Sequence, residues 1–104
     1  MASLYFVEMD IGHQGTTTDD FLKIWLEEVN FYLDLKKAGS AKHLFKCAGE
    51  RKVFLVLEMT SEEIDTLLLT SPLMKKLGDQ VKVSVNQIIP YETFANHMNK
   101  TRGK

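Results

Sequence analysis

The sequence predicts an α+β domain, in which a four-stranded antiparallel sheet is covered by two helices in the order strand, helix, strand, strand, helix, strand. Three observations predict it. Residues 18–39 carry the apolar periodicity of a long amphipathic helix, and a shorter helical pattern follows Thr60. Four runs of apolar or alternating residues, rich in β-branched and aromatic members, flank these helices. The middle two runs are separated only by Ala48-Gly49-Glu50-Arg51, a connection of hairpin length. At 104 residues, 44% hydrophobic and 26% charged, the chain has the size and composition of one globular domain. The domain is expected over residues 1–95, with a basic, flexible tail over 96–104.

Leu4 to Asp10 reads as the first strand, seven residues with aromatic and β-branched members that end in acids. Ile11 to Thr17, with Gly12 and Gly15, reads as a loop. The helix then starts at Thr17 or Thr18 as N-cap. Asp19 and Asp20 stand at the positive end of its dipole, and Gly39 is suited to stop it. Ala41 to Cys47 is the second strand, alternating His43, Phe45 and Cys47 with Lys42, Leu44 and Lys46. After the hairpin, Lys52 to Glu58 contains Val53-Phe54-Leu55-Val56-Leu57, a run that leaves neither face polar. Thr60 and Glu63 have capping-box spacing and open the second helix, with Ile64, Leu67 and Leu68 as its inner stripe. Ser71-Pro72 ends or kinks it, and Leu73, Met74 and Leu77 pack a following turn before Gly78. Val81 to Ile89 alternates as a half-buried last strand. From Pro90 onward the reading is a short helical or irregular tail.

Two right-handed crossovers joined by a hairpin make the ferredoxin-like βαββαβ arrangement. The first and third strands are apolar on both faces, whereas an antiparallel sheet with a wet face alternates more cleanly. A second copy covering that face accounts for this, so a homodimer packed sheet against sheet is expected.

One residue of the long helix is out of place. Phe21, Leu22, Trp25, Leu26, Val29, Tyr32, Leu33 and Leu35 form one broad apolar face, and Lys23, Glu27, Asn30 and Asp34 the opposite one. Glu28 falls inside the apolar arc. Desolvation raises a carboxyl pKa, which is how a protein makes a general acid or base that works near neutral pH. The alternative is a rotated helix whose Glu28 snorkels at the stripe edge or pairs with a lysine.

Other chemistries find little support. Thirteen basic against fourteen acidic residues give a net charge of −1, which argues against nucleic acid or an anionic membrane as the main partner. Lys100, Arg102 and Lys104 form the one basic cluster, read as a solvated terminus. Cys47 is the single cysteine, so no intramolecular disulfide is expected. The first residues reach Glu8 and Asp10 after an apolar run too short for a signal peptide or a membrane span, and a cytoplasmic protein is expected. No phosphate-binding glycine loop occurs. His13, His43 and His97 are scattered without acids or a second cysteine at ligand spacing, so neither a metal nor a cofactor is expected. Glu28 together with His43 on the next strand remains, a base and an electrophilic partner for proton transfer beside a carbonyl. For His43 alone the plainer reading is a satisfied structural histidine.

The run Gly39-Ser40-Ala41-Lys42-His43-Leu44-Phe45-Lys46-Cys47-Ala48-Gly49 resembles the muconolactone isomerase family, whose equivalent stretch has a basic-His-Leu-aromatic-basic pattern followed by Ala-Gly. The resemblance extends to Leu4 through Met9, to Glu28 eleven residues before Gly39, and to Ser71-Pro72-Leu73. It implies dimeric α+β barrels assembled into larger rings, and a cofactor-free shift of a double bond in a small unsaturated lactone. By position, the resemblance makes Glu28 the acid/base. His43, Lys42 and Lys46 become candidates for holding the substrate's carboxylate or its developing enolate. Two departures bear on recognition. Lysines stand where the family commonly has arginines, and Ile89-Pro90-Tyr91-Glu92-Thr93-Phe94 replaces its basic, histidine-containing C-terminal segment. Two rivals stay open: a cofactor-free cyclase or monooxygenase on polyketide-like aromatics, for which Trp25, Tyr32 and Phe45 suit a planar substrate, and a non-catalytic ligand-binding module.

Overall fold

The computed structural model describes residues 2–12 and 14–103. His13, read above as one of three scattered histidines, and Lys104, read as part of the basic tail, lie outside the described residues. The elements are β1 (Ser3–Ile11), α1 (Thr18–Lys37), β2 (Ala41–Lys46), β3 (Lys52–Met59), α2 (Ser61–Thr70), α3 (Pro72–Leu77), β4 (Val81–Ile88) and α4 (Tyr91–Arg102), with a turn of 3₁₀ helix at Gly78–Gln80. The strands form one antiparallel sheet in the order β2-β3-β1-β4. This is the expected ferredoxin-like α+β arrangement.

Local chemistry sets the boundaries. The Thr17 hydroxyl accepts from the Asp20 N–H at 3.2 Å to start α1, and Gly39 beyond its end adopts φ +92°, a conformation open to glycine at little cost. A capping box starts α2: the Thr60 N–H donates to Glu63 Oε1 at 2.8 Å and the Glu63 N–H to Thr60 Oγ1 at 3.2 Å. Pro72 lacks an N–H and forces its predecessor out of the helical region. Ser71 accordingly turns extended (φ −64°, ψ 152°), and the chain restarts as α3.

The core lies between the sheet and the helices. Val7, Met9 and Ile11 of β1 alternate inward and meet Leu55, Leu57 and Met59 of β3, with Phe21, Tyr32, Ile64, Leu67, Leu73 and Leu77 packed from the helices. The opposite sheet face carries Leu4, Phe6, Phe54 and Val56, each half-buried. Phe6 and Phe54 stack there with ring centroids 5.8 Å apart. Both faces of the central strands are thus apolar, as the sequence indicates.

Helix α4 is the least integrated element. It runs unbroken across residues 95 and 96, where the sequence reading ends the domain, and it packs substantially against no other element. The molecule measures 61 × 26 × 21 Å. No helix among the described residues is long and apolar enough to cross a membrane.

Candidate active site

Helix geometry decides what Glu28 is. At about 100° per residue, Phe21, Trp25, Glu28, Tyr32 and Leu35 all lie within about 40° of one line along α1, and this line faces the core. Glu28 stands near its centre and is 3% exposed. The snorkelling alternative does not hold, nor does pairing with a lysine. The carboxylate's partners are neutral donors: the Leu73 N–H reaches Oε1 at 3.1 Å and the Ser71 hydroxyl reaches Oε2 at 3.3 Å. Both come from the α2–α3 break. Pro72 lifts the chain out of the helix there, which aims the Ser71 side chain and the Leu73 amide at α1. Ser71 is itself fully buried.

Two effects oppose each other at this carboxyl. Burial raises its pKa above the ordinary 4.5, and the Leu73 and Ser71 hydrogen bonds, which favour the ionised form, pull it down. Burial wins. One turn along, Tyr32 is 5% exposed, and its hydroxyl meets the Met9 sulfur at 4.0 Å and the Ser71 side chain. Burial, and secondarily the negative charge of Glu28, push its phenol pKa far up, so Tyr32 stays protonated throughout the neutral range.

The apolar face of α1 is wider than the core can cover. A second stripe of Leu22, Leu26, Val29 and Leu33, about 80–140° round from Phe21, stays exposed, Leu26 to 60%. Between this stripe and the β2 edge opens a pocket of about 480 Å³. Trp25, Glu28 and Tyr32 line it from α1, Leu44, Phe45 and Lys46 from β2, Val53 and Leu55 from β3, and Leu73 from α3. Among the described residues that line it, most are apolar, and Glu28 and Lys46 carry its ionisable acid and base. The Lys46 ammonium lies 5.9 Å from the centre of the Trp25 ring.

Of the residues singled out in the sequence, the pocket therefore collects Glu28, Trp25, Tyr32, Phe45 and Lys46. Lys42 and His43 do not line it. Lys42 is exposed and pairs with Glu58 at 3.1 Å. His43 is exposed on the other face of the sheet, its ring parallel to that of Phe45 with centroids 6.1 Å apart. Alternation with Leu44 and Lys46, which line the pocket, puts His43 on the opposite face, and a register shift separates it from Ala41: Ala41 pairs with Leu57, but His43 pairs with Val56. One extra residue sends Ala41 into the core and His43 away from it. Within one chain, Glu28 and His43 are thus not neighbours. Sequence reasoning gave Ser71 no part in the site, reading it as a helix stop and as part of the family resemblance, and nothing in its local pattern ties it to Glu28.

The profile of the muconolactone delta-isomerase family matches residues 3–97. Among solved structures, the chain is similar to the crystal structure of muconolactone isomerase at 3.3 Å resolution. Identity is 19%, 84% of this chain and 88% of that chain are covered, and the TM-score is 0.68. At that identity the likeness is one of fold. Comparison with curated proteins finds no match.

Proposed function

The chain belongs to the muconolactone delta-isomerase family, and on that premise we propose that it is an isomerase that shifts a double bond in a small unsaturated lactone or related carbonyl compound, by proton transfer and without a cofactor. The observation that carries this reading is the Glu28 carboxyl, buried yet set in the wall of an apolar pocket. The Glu28 carboxylate takes a proton from the carbon α to the carbonyl, and the electron pair moves into a dienolate with its charge on the carbonyl oxygen. The same carboxyl, now protonated, returns the proton to the γ carbon, so the double bond moves and nothing else is consumed. Its raised proton affinity makes it a stronger base than an exposed glutamate.

Lys46 supplies the only cation in the wall among the described residues and is assigned to the substrate's carboxylate or to the dienolate. This takes over the part that the sequence offered jointly to His43, Lys42 and Lys46. Trp25 and Tyr32 bound the ring of the substrate, with Phe45 at the rim of the pocket. The pocket volume falls in the range of small-molecule sites. The enzyme is proposed to act in the cytoplasm as a homodimer or larger homo-oligomer joined through the apolar sheet face.

Turnover of muconolactone by wild type and Glu28→Gln tests the assignment. The variant should stay folded and lose about 10²–10⁴ in rate; unchanged turnover removes Glu28 from the mechanism. The three aromatic side chains in the wall favour one second reading, a cofactor-free cyclase or monooxygenase on planar aromatics. Quinone formation from a phenolic substrate under oxygen, with muconolactone inert, would select it.

A further inference from the structure

Tyr32 borders the Glu28 pocket, but its hydroxyl is engaged inside the protein, by the Met9 sulfur at 4.0 Å and by the Ser71 side chain. Ser71 is fully buried, and its own hydroxyl reaches Glu28 Oε2 at 3.3 Å. Three buried side chains thus follow one another, Tyr32 to Ser71 to Glu28, and the last is the carboxyl assigned to proton transfer. We propose that Tyr32 is a positioning residue: by donating its hydroxyl proton to Ser71 Oγ, it fixes the Ser71 hydroxyl with its own proton on Glu28 Oε2, and so supports the ionised form that acts as the base.

The two donors to Glu28 differ in how firmly they are aimed. The Leu73 N–H, 3.1 Å from Oε1, is fixed by the backbone. A serine hydroxyl turns about its Cβ–Oγ bond, and its proton goes to whichever acceptor competes best. The Leu67 carbonyl is one such competitor: it accepts the Ser71 N–H at 2.9 Å and keeps a second lone pair. Tyr32 decides the contest. Of the partners of its hydroxyl, the Met9 thioether is a weak acceptor, so Ser71 Oγ is the better place for the phenol proton. An oxygen that accepts on one side is left to donate on the other, and each bond in such a chain strengthens the next. Tyr32 keeps its proton throughout the neutral range, because burial and then the charge of Glu28 hold the phenol protonated.

The fold makes this chain short. Glu28 and Tyr32 stand four residues apart on one line of α1, about one helical turn, and Pro72 turns Ser71 out of the helical region to meet both. The charged groups on the elements packed against α1 stay the same in every variant below. Lys46 of β2 borders the pocket, Lys76 of α3 pairs with Glu27 at 3.1 Å, and Lys75 of α3 is exposed. The inference rests on the acid/base reading of Glu28 for its bearing on turnover, but the titration of Glu28 needs no substrate.

Infrared difference spectra against Glu28→Gln isolate the C=O band of protonated Glu28 and give its titration midpoint, with a cooperative melt by circular dichroism as the check that each variant is folded. Tyr32→Phe keeps the ring and should move the midpoint to higher pH, as should Ser71→Ala. Tyr32→Phe in the Ser71→Ala background should add nothing, and Met9→Leu should leave the midpoint in place. A 3-fluorotyrosine in place of Tyr32 is a stronger donor of nearly the same shape and should move the midpoint to lower pH, which decides the matter even where Tyr32→Phe does not fold. With muconolactone, the limb of the kcat/KM profile that reports Glu28 should move in the same order. A midpoint unmoved, or moved the other way, by either change at residue 32 overturns the proposal. So does a Tyr32→Phe effect of equal size with and without the Ser71 hydroxyl, or an equal effect of Met9→Leu. Inert muconolactone with the midpoints as expected removes the isomerase reading and leaves Tyr32 in its role.

Discussion

Replacing Glu28 by glutamine and by alanine should have opposite effects on stability, and the contacts say why. Glutamine keeps the shape. Its amide oxygen can accept from the Leu73 N–H, and its amide nitrogen can donate to Ser71 Oγ, so both contacts of the carboxylate survive, one with its direction reversed. Alanine takes the carboxylate acceptor away from the buried Ser71 hydroxyl and the Leu73 amide, at up to about 1–3 kcal/mol each, before the cavity is counted. The pH dependence has a definite sign. Folded protein holds the Glu28 proton more tightly than the unfolded chain, whose carboxyl titrates near 4.5. Between that value and the raised folded value, the native state binds more protons, so wild-type stability falls as pH rises and then levels off. Glutamine has no such slope. The advantage of Glu28→Gln over wild type should therefore widen across this window, by about 1.4 kcal/mol for each tenfold difference in proton affinity between the two states. Urea unfolding followed by circular dichroism from pH 4.5 to 8.5, at one fixed protein concentration, measures it. A glutamine variant less stable than wild type at pH 8, with the gap vanishing at pH 4.5, would refute the reasoning, because the carboxylate would then be a net stabilising ion.

Three further substitutions probe the surroundings. Ser71→Ala removes a bond to the charged form, so the Glu28 pKa should rise further and the limb of the rate–pH profile that reports it should move to higher pH; an unmoved limb would show that Ser71 does not act on the carboxyl. Lys46→Met should raise KM for a carboxylate-bearing substrate far more than for its methyl ester, and equal changes in the two would remove Lys46 from substrate binding. Thr60→Ala breaks the capping box of α2 and should cost about 1 kcal/mol in urea unfolding, with turnover unaffected when the protein is folded.

Much of this fold was legible because its signals are local. The capping pair Thr60/Glu63, Gly39 and Pro72 mark turns of the chain by steric and hydrogen-bonding rules that operate over a few residues. The anomaly at Glu28 was equally readable, since helical periodicity alone places it among Phe21, Trp25 and Tyr32. What lay beyond the sequence depended on distant partners. Alternation sets His43 and Phe45 on the face opposite Leu44 and Lys46, but which of the two faces meets the helices depends on pairing with β3, where His43 lies opposite Val56. Ser71 approaches Glu28 only after the chain has folded back across 43 residues. Helix α4 is intermediate: the spacing of Tyr91, Phe94, Ala95 and Met98 is helical, but Pro90 and the polar residues between them also suit an irregular tail.

The α2–α3 break has a bearing on how such a protein changes over time. The donors that hold down the proton affinity of Glu28 come from one segment, whereas the surfaces that meet a ligand come largely from β2 and the outer side of α1. Selectivity is therefore adjustable without touching those donors. Mutations at Leu44, Phe45 or Leu26 can reshape what is admitted while the acid keeps its character, and a lineage can try new molecules without first rebuilding its chemistry.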